Sequence, residues 1–399
     1  MGNMAKDQKD GKFQSSFDKI LETKATIMLR PELFDINFTP KELLERKSTL
    51  ELYKLISAIV NYKSSINILL NGPPGTGKTA TAFFVREKLL TNAALHTEYV
   101  NCNDLTPDEI LFSLLKGESP NLQDGLLISY LKRIKDKDSL IILDEVDKSP
   151  SIPILLAQLS RVNEILPGFD KKINLLLISN HPVWEDTLKT YIRSSLQLKR
   201  IDFDKYNQQE LFEIIKNRIS SGFTTNAISD EQILKIATKV AEDRHGDCRV
   251  AIKATYLSAI DAEHARRSKI NDSDIEHAFK DAIREIELKR LTSLTNNHFF
   301  VLCTSFESTS SFQDFENKYI QKIKEIPGDK IKPLKTSAVF QALKYLENQG
   351  LLKKTIHVDK QEGQPPRMST ELNPDVDRKL VEEEFNKRIQ NIEHIKKKT

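Results

Sequence analysis

Asn71-Gly72-Pro73-Pro74-Gly75-Thr76-Gly77-Lys78-Thr79 fills the phosphate-loop pattern G-x-x-x-x-G-K-[ST] at every position. The apolar run Ile66-Asn67-Ile68-Leu69-Leu70 before it reads as a buried strand, and Ala80 to Val85 after it begins a helical pattern. Strand, loop and helix in that order are the context the motif needs. Successive backbone N–H groups at a helix N-terminus surround a polyphosphate, Gly72, Gly75 and Gly77 let the backbone approach, and the Lys78 ammonium adds a point charge. Pro73, Pro74, Thr76 and Ala80 are counted with them as nucleotide-binding, and Thr79 is expected to hold Mg²⁺ through its hydroxyl. The implied ligands are ATP or ADP with Mg²⁺.

Some seventy residues on, the pure apolar strand Leu140-Ile141-Ile142-Leu143 closes in Asp144-Glu145. Such a run suits a parallel strand buried on both faces, and its end delivers carboxylates to the crevice where doubly wound sheets bind ligands. Asp144 is expected to be the Mg²⁺-linked carboxylate and Glu145 to polarise an attacking water; taken alone, the pair also reads as an acidic turn. A third buried strand, Ile173 to Ile178, leads to Asn180, whose amide can bond both that water and a terminal phosphate, or else cap the following turn. Thr97 to Cys102 and Leu196 to Phe203 complete five strands alternating with helices, the pattern of a three-layer α/β domain with a parallel sheet. Ahead of them, Thr39-Pro40 reads as the capped entry to an amphipathic helix.

The chain has 399 residues, 39% hydrophobic and 29% charged, enough for two or three domains with real cores. Its net charge of +3 is too mild to imply a polyanion partner unless the excess is clustered. Cys102, Cys248 and Cys303 are far apart and form no C-x-x-C pair, so they read as reduced buried thiols. No stretch has the ~18 apolar residues of a membrane span, and the polar start has no signal core. The expected location is the cytoplasm, in association with the nucleoid, with no membrane partner.

After Asn207 the strand signal gives way to four helix patterns, up to about Leu288. Gly246 fits the turn before the third, Asp247 its cap, and Arg249 its first turn, where a phosphate ligand would offset the helix dipole; the alternative is an exposed arginine. The last third reads as three helices and a β-hairpin, the order of a winged helix-turn-helix. Between Lys318 and Arg367 eleven Lys or Arg face five Asp or Glu, so the basic excess sits there. Lys335, Thr336, Ser337 and Gln341 on the third helix are candidate DNA contacts, with Lys360 and Arg367 on the wing; such modules also serve protein contacts.

Together these residues resemble the archaeal origin-recognition and cell-division-cycle initiators of the AAA+ ATPases. Phe38-Thr39-Pro40 with Leu43 and Glu45-Arg46 is similar to the family's adenine-cupping N-terminal box, Gly72 to Thr79 to Walker A, and Leu140 to Glu145 to Walker B. Asn180 matches the sensor-1 position and Gly246 to Arg249 the sensor-2 segment. The resemblance implies an AAA+ P-loop domain with an all-helical lid and a C-terminal winged-helix domain, divided as a flexible segment 1–22, an α/β domain 23–204, a lid 205–288 and a winged helix 289–399 with a charged tail. It also implies a slow ATP/ADP switch that binds double-stranded origin DNA, helps recruit the replicative minichromosome-maintenance helicase, and acts beside paralogous initiators, with Arg249 coupling lid closure to the phosphates. Arg193 is a candidate finger for a neighbour, although the usual Asp-Pro-Arg is absent, and the insertion from Asp104 to Asp124 is too acidic to favour a second DNA footprint. The competing readings are a clamp-loader-like or remodelling ATPase whose C-terminal domain contacts protein, and a DNA-binding regulator whose ATPase has decayed.

Overall fold

The computed structural model describes residues 26–92, 95–116, 118, 124–149, 151–244, 246–307, 311–326, 331–348, 351–357, 367–372 and 376–396. The elements in chain order are α1 (Lys47–Tyr62), β1 (Ile68–Asn71), α2 (Lys78–Asn92), β2 (His96–Asn101), α3 (Pro107–Leu114), α4 (Gly125–Arg133), β3 (Ser139–Asp144), α5 (Ile152–Leu159), α6 (Val162–Ile165), β4 (Ile173–Ser179), α7 (Thr190–Leu196) and β5 (Lys199–Asp202). They continue as α8 (Gln208–Gly222), α9 (Asp230–Asp243), α10 (Cys248–His264), α11 (Asp272–Thr292), α12 (Asn296–Thr304), α13 (Phe312–Lys324), α14 (Thr336–Asn348), β6 (Leu352–His357), β7 (Arg367–Leu372) and α15 (Arg378–Lys396). The chain divides into two units after Asp281, inside α11.

In the first unit five parallel strands lie in the order β2-β3-β4-β1-β5. The apolar run of β3 is buried along its whole length, because both faces of the sheet are covered. Leu140 and Ile142 pack with Leu52, Ile56, Ala82 and Val85 of α1 and α2. Ile141 and Leu143 point the other way, into Ile110, Leu114, Tyr130, Ile152 and Leu155 of α3 to α5. Strand alternation thus turns one hydrophobic run into the middle of three layers. Register does the rest: Asn71 pairs with Ser179 and Asn101 with Asp144, so the phosphate loop and the ends of β3 and β4 meet at one edge.

Helices α8 to α10 and the start of α11 form an all-helical bundle. Asn207 and Ser229 cap α8 and α9, each in a reciprocal pair with the Glu210 or Gln232 three residues on. The segment from Thr26 to Phe34 packs on this bundle. Glu263 accepts the backbone N–H groups of Thr26, Ile27 and Met28 at 2.8–2.9 Å, and the Phe34 ring stacks on Phe223 with centroids 4.6 Å apart.

Two sequence expectations need correction, and one segment gains an element. Thr39-Pro40 does not open a helix: α1 starts at Lys47, where Thr49 Oγ1 accepts the Arg46 N–H at 2.7 Å and caps the first turn. Residues 196–198 do not belong to β5, because Ile192 and Leu196, four apart, bury one face of α7 in the core and Gln197 ends that helix in the left-handed region. The charged tail contains α15, whose Leu380, Val381 and Ile392 are buried.

The second unit has three helices, α12 to α14, followed by the antiparallel hairpin of β6 and β7, in which Leu352 pairs with Leu372 and His357 with Arg367. Its core gathers Phe299, Phe300, Phe315, Tyr319, Val339, Leu343 and Leu346 with residues of α15. Buried Arg388 of α15 pairs with Glu384 at 2.7 Å and donates to the carbonyls of Leu291, Thr292 and Leu294, satisfying the open end of α11. The three cysteines are buried and free.

Candidate nucleotide-binding site

The loop from Gly72 to Gly77 joins β1 to the first turn of α2, so the helix begins at Lys78 itself. Gly75 and Gly77 have φ of 78° and 86°, a region that glycine enters without steric cost. Their missing side chains also make room: a Cβ at Gly75 would lie 1.9 Å from Asp247 Oδ1, and one at Gly77 would lie 2.3 Å from the Tyr206 hydroxyl. Lys78 is buried, and its Nζ donates to the carbonyls of Gly72 and Pro73 at 2.7 and 2.8 Å. Burial pushes its ammonium down to about 8, against the pull of Asp144 and Asp147.

Thr79 Oγ1 donates to Asp144 Oδ2 at 2.8 Å, so the loop hydroxyl and the strand-end carboxylate form one oxygen cluster. Burial raises the Asp144 carboxyl above the ordinary range, with the neighbouring Glu145 charge adding to it and the Thr79 bond opposing it. Glu145 has φ of 55°, uncommon for a residue with a side chain, and its Oε1 accepts from Lys148 Nζ at 2.8 Å. Asn180 follows β4 directly, and its backbone N–H donates to Asp147 Oδ1 at 3.0 Å.

The bundle reaches the same loop through the start of α10. Cys248 N–H donates to the Gly75 carbonyl at 3.2 Å. Asp247 caps α10 through the Arg249 N–H at 3.0 Å and holds the Arg249 guanidinium in a two-pronged pair, Nε to Oδ1 at 2.9 Å and Nη2 to Oδ2 at 2.5 Å. Lys78, Thr79, Asp144, Glu145, Asn180 and Arg249 are thus brought to one region. Two further expected groups have other partners. Phe38 lies under the Arg218 guanidinium of α8, 5.5 Å from ring centroid to carbon, beside the partly buried Thr39. Arg193 pairs with Asp186 at 3.3 Å.

A model of the Cdc6 AAA+ ATPase-type lid domain matches residues 212–280, and one of the ATPase family associated with various cellular activities (AAA) matches residues 68–185. The ORC1-type DNA replication protein 1 of Archaeoglobus fulgidus is 28% identical over 400 residues, which cover 94% of this chain and 95% of that one. The chain is similar over nearly its whole length to an archaeal ORC1-type DNA replication protein. Another ORC1-type DNA replication protein 1, from Sulfurisphaera tokodaii, is 29% identical over 69% of this chain and 71% of its own. Among solved structures, the Aeropyrum pernix Orc1 protein in complex with DNA matches with a TM-score of 0.68 at 20% identity, covering 90% of this chain and 97% of that one. The Aeropyrum pernix Orc2 protein in its ADPNP-ADP complexes matches with 0.59 at 20% identity, over 94% and 100%. At that identity both show a shared fold. The AAA+ α/β domain with its helical lid is therefore the architecture of the first unit.

The residue that sequence reasoning missed is Tyr206. Its hydroxyl faces Gly77, the Arg46 guanidinium lies 4.4 Å above its ring, and its backbone packs on Gly246. Arg46 is held in place by Glu210 at 2.9 Å and by the Asp204 carbonyl at 2.9 Å. One tyrosine in a polar loop belongs to no periodic pattern, so only its neighbours in space reveal it. Of the DNA-contact candidates, Lys335, Thr336, Ser337 and Gln341 are exposed at the start of α14, Arg367 opens β7, and Lys360 lies outside the described residues.

Proposed function

We propose that this chain is an ATP-regulated replication initiator. It holds ATP or ADP with Mg²⁺ in the site above, hydrolyses it slowly, and through its nucleotide state controls a winged-helix domain (α12 to α14 with β6 and β7) that grips origin duplex DNA and helps recruit the replicative helicase. The observation that carries the reading is the 2.8 Å bond between Thr79 and Asp144, formed beside buried Lys78 at the mouth of a phosphate loop.

Mg²⁺ fits this donor set. Among the described residues no three His, Cys, Asp or Glu gather around one point, but a phosphate-loop cation needs only a hydroxyl and a carboxylate, since nucleotide phosphates and water supply its remaining oxygens. When bound, the cation would neutralise charge on the terminal phosphates. The protein groups divide the remaining work. Lys78 and the loop amides hold the phosphates, Glu145 orients water, Asn180 senses the terminal phosphate, and Arg249 ties the lid to it. Phe38, Thr39 and Arg46 serve the adenine side, and Arg193 serves a neighbouring molecule. Lys335, Thr336, Ser337, Gln341, Lys360 and Arg367 contact DNA.

Fluorescence anisotropy on a labelled duplex tests this. Lys335→Glu combined with Arg367→Glu is expected to weaken binding while leaving ADP affinity unchanged, and parent affinity is expected to fall steeply with salt. Binding indifferent to both would favour a C-terminal domain that contacts protein.

A further inference from the structure

Tyr99 stands near the end of β2, one strand over from Asp144, and no nucleotide-binding pattern asks for a tyrosine there. Its hydroxyl donates to Asp144 Oδ2 at 3.1 Å, the oxygen that also accepts from Thr79 Oγ1. Asp144 Oδ1 accepts the Glu145 N–H at 2.8 Å. The carboxylate is therefore fixed through both oxygens, and Tyr99 and Thr79 converge on one of them from opposite elements.

The scaffold makes this convergence repeatable. In the β2–β3 register Asn101 faces Asp144 and Tyr99 faces Ile142, so Tyr99 and Asp144 share a face of the sheet. Phe83 follows Thr79 by four residues on α2, one turn along the same helix face, and its ring lies 4.4 Å from that of Tyr99. The ring contact therefore spaces α2 from β2, while the two hydroxyls bracket the carboxylate. Tyr99 is partly buried, and a tyrosine hydroxyl so placed favours a hydrogen-bond partner. Phenylalanine would fill the same space with no such need, and the partner here is Asp144, the carboxylate that also accepts from Thr79.

We propose that Tyr99 is a positioning residue of the Mg²⁺ site, holding Asp144 Oδ2 against Thr79 so that hydroxyl and carboxylate meet the cation as one oxygen pair. The proposal rests on the reading of Gly72 to Thr79 as a Mg²⁺-nucleotide site. Residues that orient a metal-binding carboxylate typically affect metal affinity by about 10-fold or more when removed.

The test is binding of a fluorescent ADP analogue to the full chain, in EDTA and across a Mg²⁺ titration, for the parent, Tyr99→Phe and Tyr99→Met. Tyr99→Phe is expected to keep the EDTA affinity within about twofold and to raise the Mg²⁺ concentration of half-maximal effect about 10-fold, and Tyr99→Met to raise it at least as far. A Tyr99→Phe midpoint equal to the parent's, whether or not Tyr99→Met shifts it, would leave Tyr99 as packing and overturn the proposal alone. A parent that binds no nucleotide in either condition would overturn the site reading and the proposal with it.

Discussion

Burial holds the Lys78 ammonium near a pKa of about 8, where an exposed lysine titrates above 10. A bound polyphosphate stabilises the charged form, so above pH 8 nucleotide binding must draw a proton from solvent. ADP affinity is thus expected to stay flat between about pH 6.5 and 7.5 and to fall above pH 8 by up to about tenfold per unit, as measured by calorimetry in buffers of different ionisation enthalpy. At this scale the loop, Asp144 and Glu145 were legible in the sequence, because each belongs to a contiguous motif whose spacing carries its chemistry. Tyr206 and Tyr99 draw their geometry from residues joined across the fold, with Tyr206 set 129 positions from Gly77. No local pattern announces them.

Among the elements, β2 is an edge strand tied to the acidic insertion by a buried carboxylate. Glu98 is 2% exposed and bonded to Arg133 Nη1 at 2.7 Å, with His96 Nε2 at 3.2 Å. Burial alone would push its carboxyl up, but the bonds from His96, Arg133 and Tyr130 outweigh that and hold it at about 2. The unfolded chain takes up this proton first as pH drops. The stabilisation from Glu98 is therefore complete above about pH 4.5 and is lost as pH falls toward 2. Denaturant midpoints at pH 6, 4 and 3 should fall less steeply for Glu98→Gln than for the parent; equal slopes would show that Glu98 carries no such linkage. Arg133 also bonds Glu118 and the Leu114 carbonyl, so the acidic charge of the insertion is partly spent on holding α3 and α4 to the sheet. Helix spacing made most elements readable, but α15 was hidden because glutamates, lysines and arginines separate its buried residues. Thr39-Pro40 misled because a strong local cap signal has no force where the chain is drawn onto other helices.

For the whole molecule, the five parallel strands and the all-helical lid belong to one unit, and the three helices with their hairpin belong to the other. The first was legible because buried parallel strands read as pure apolar runs, and the second because its helices and hairpin follow in simple order. The basic excess between Lys318 and Arg367 lies wholly in the second unit, and the proposed DNA grip rests on it. That grip should show a linear fall of log affinity with log salt, with a slope set by the number of phosphates neutralised. The central claim, that this grip is aimed at replication origins, is tested most directly by mapping the DNA bound to the protein across the genome of its own cell. A few discrete peaks coinciding with sites where replication starts are predicted; binding spread evenly along the chromosome, or absent from those sites, would contradict the account.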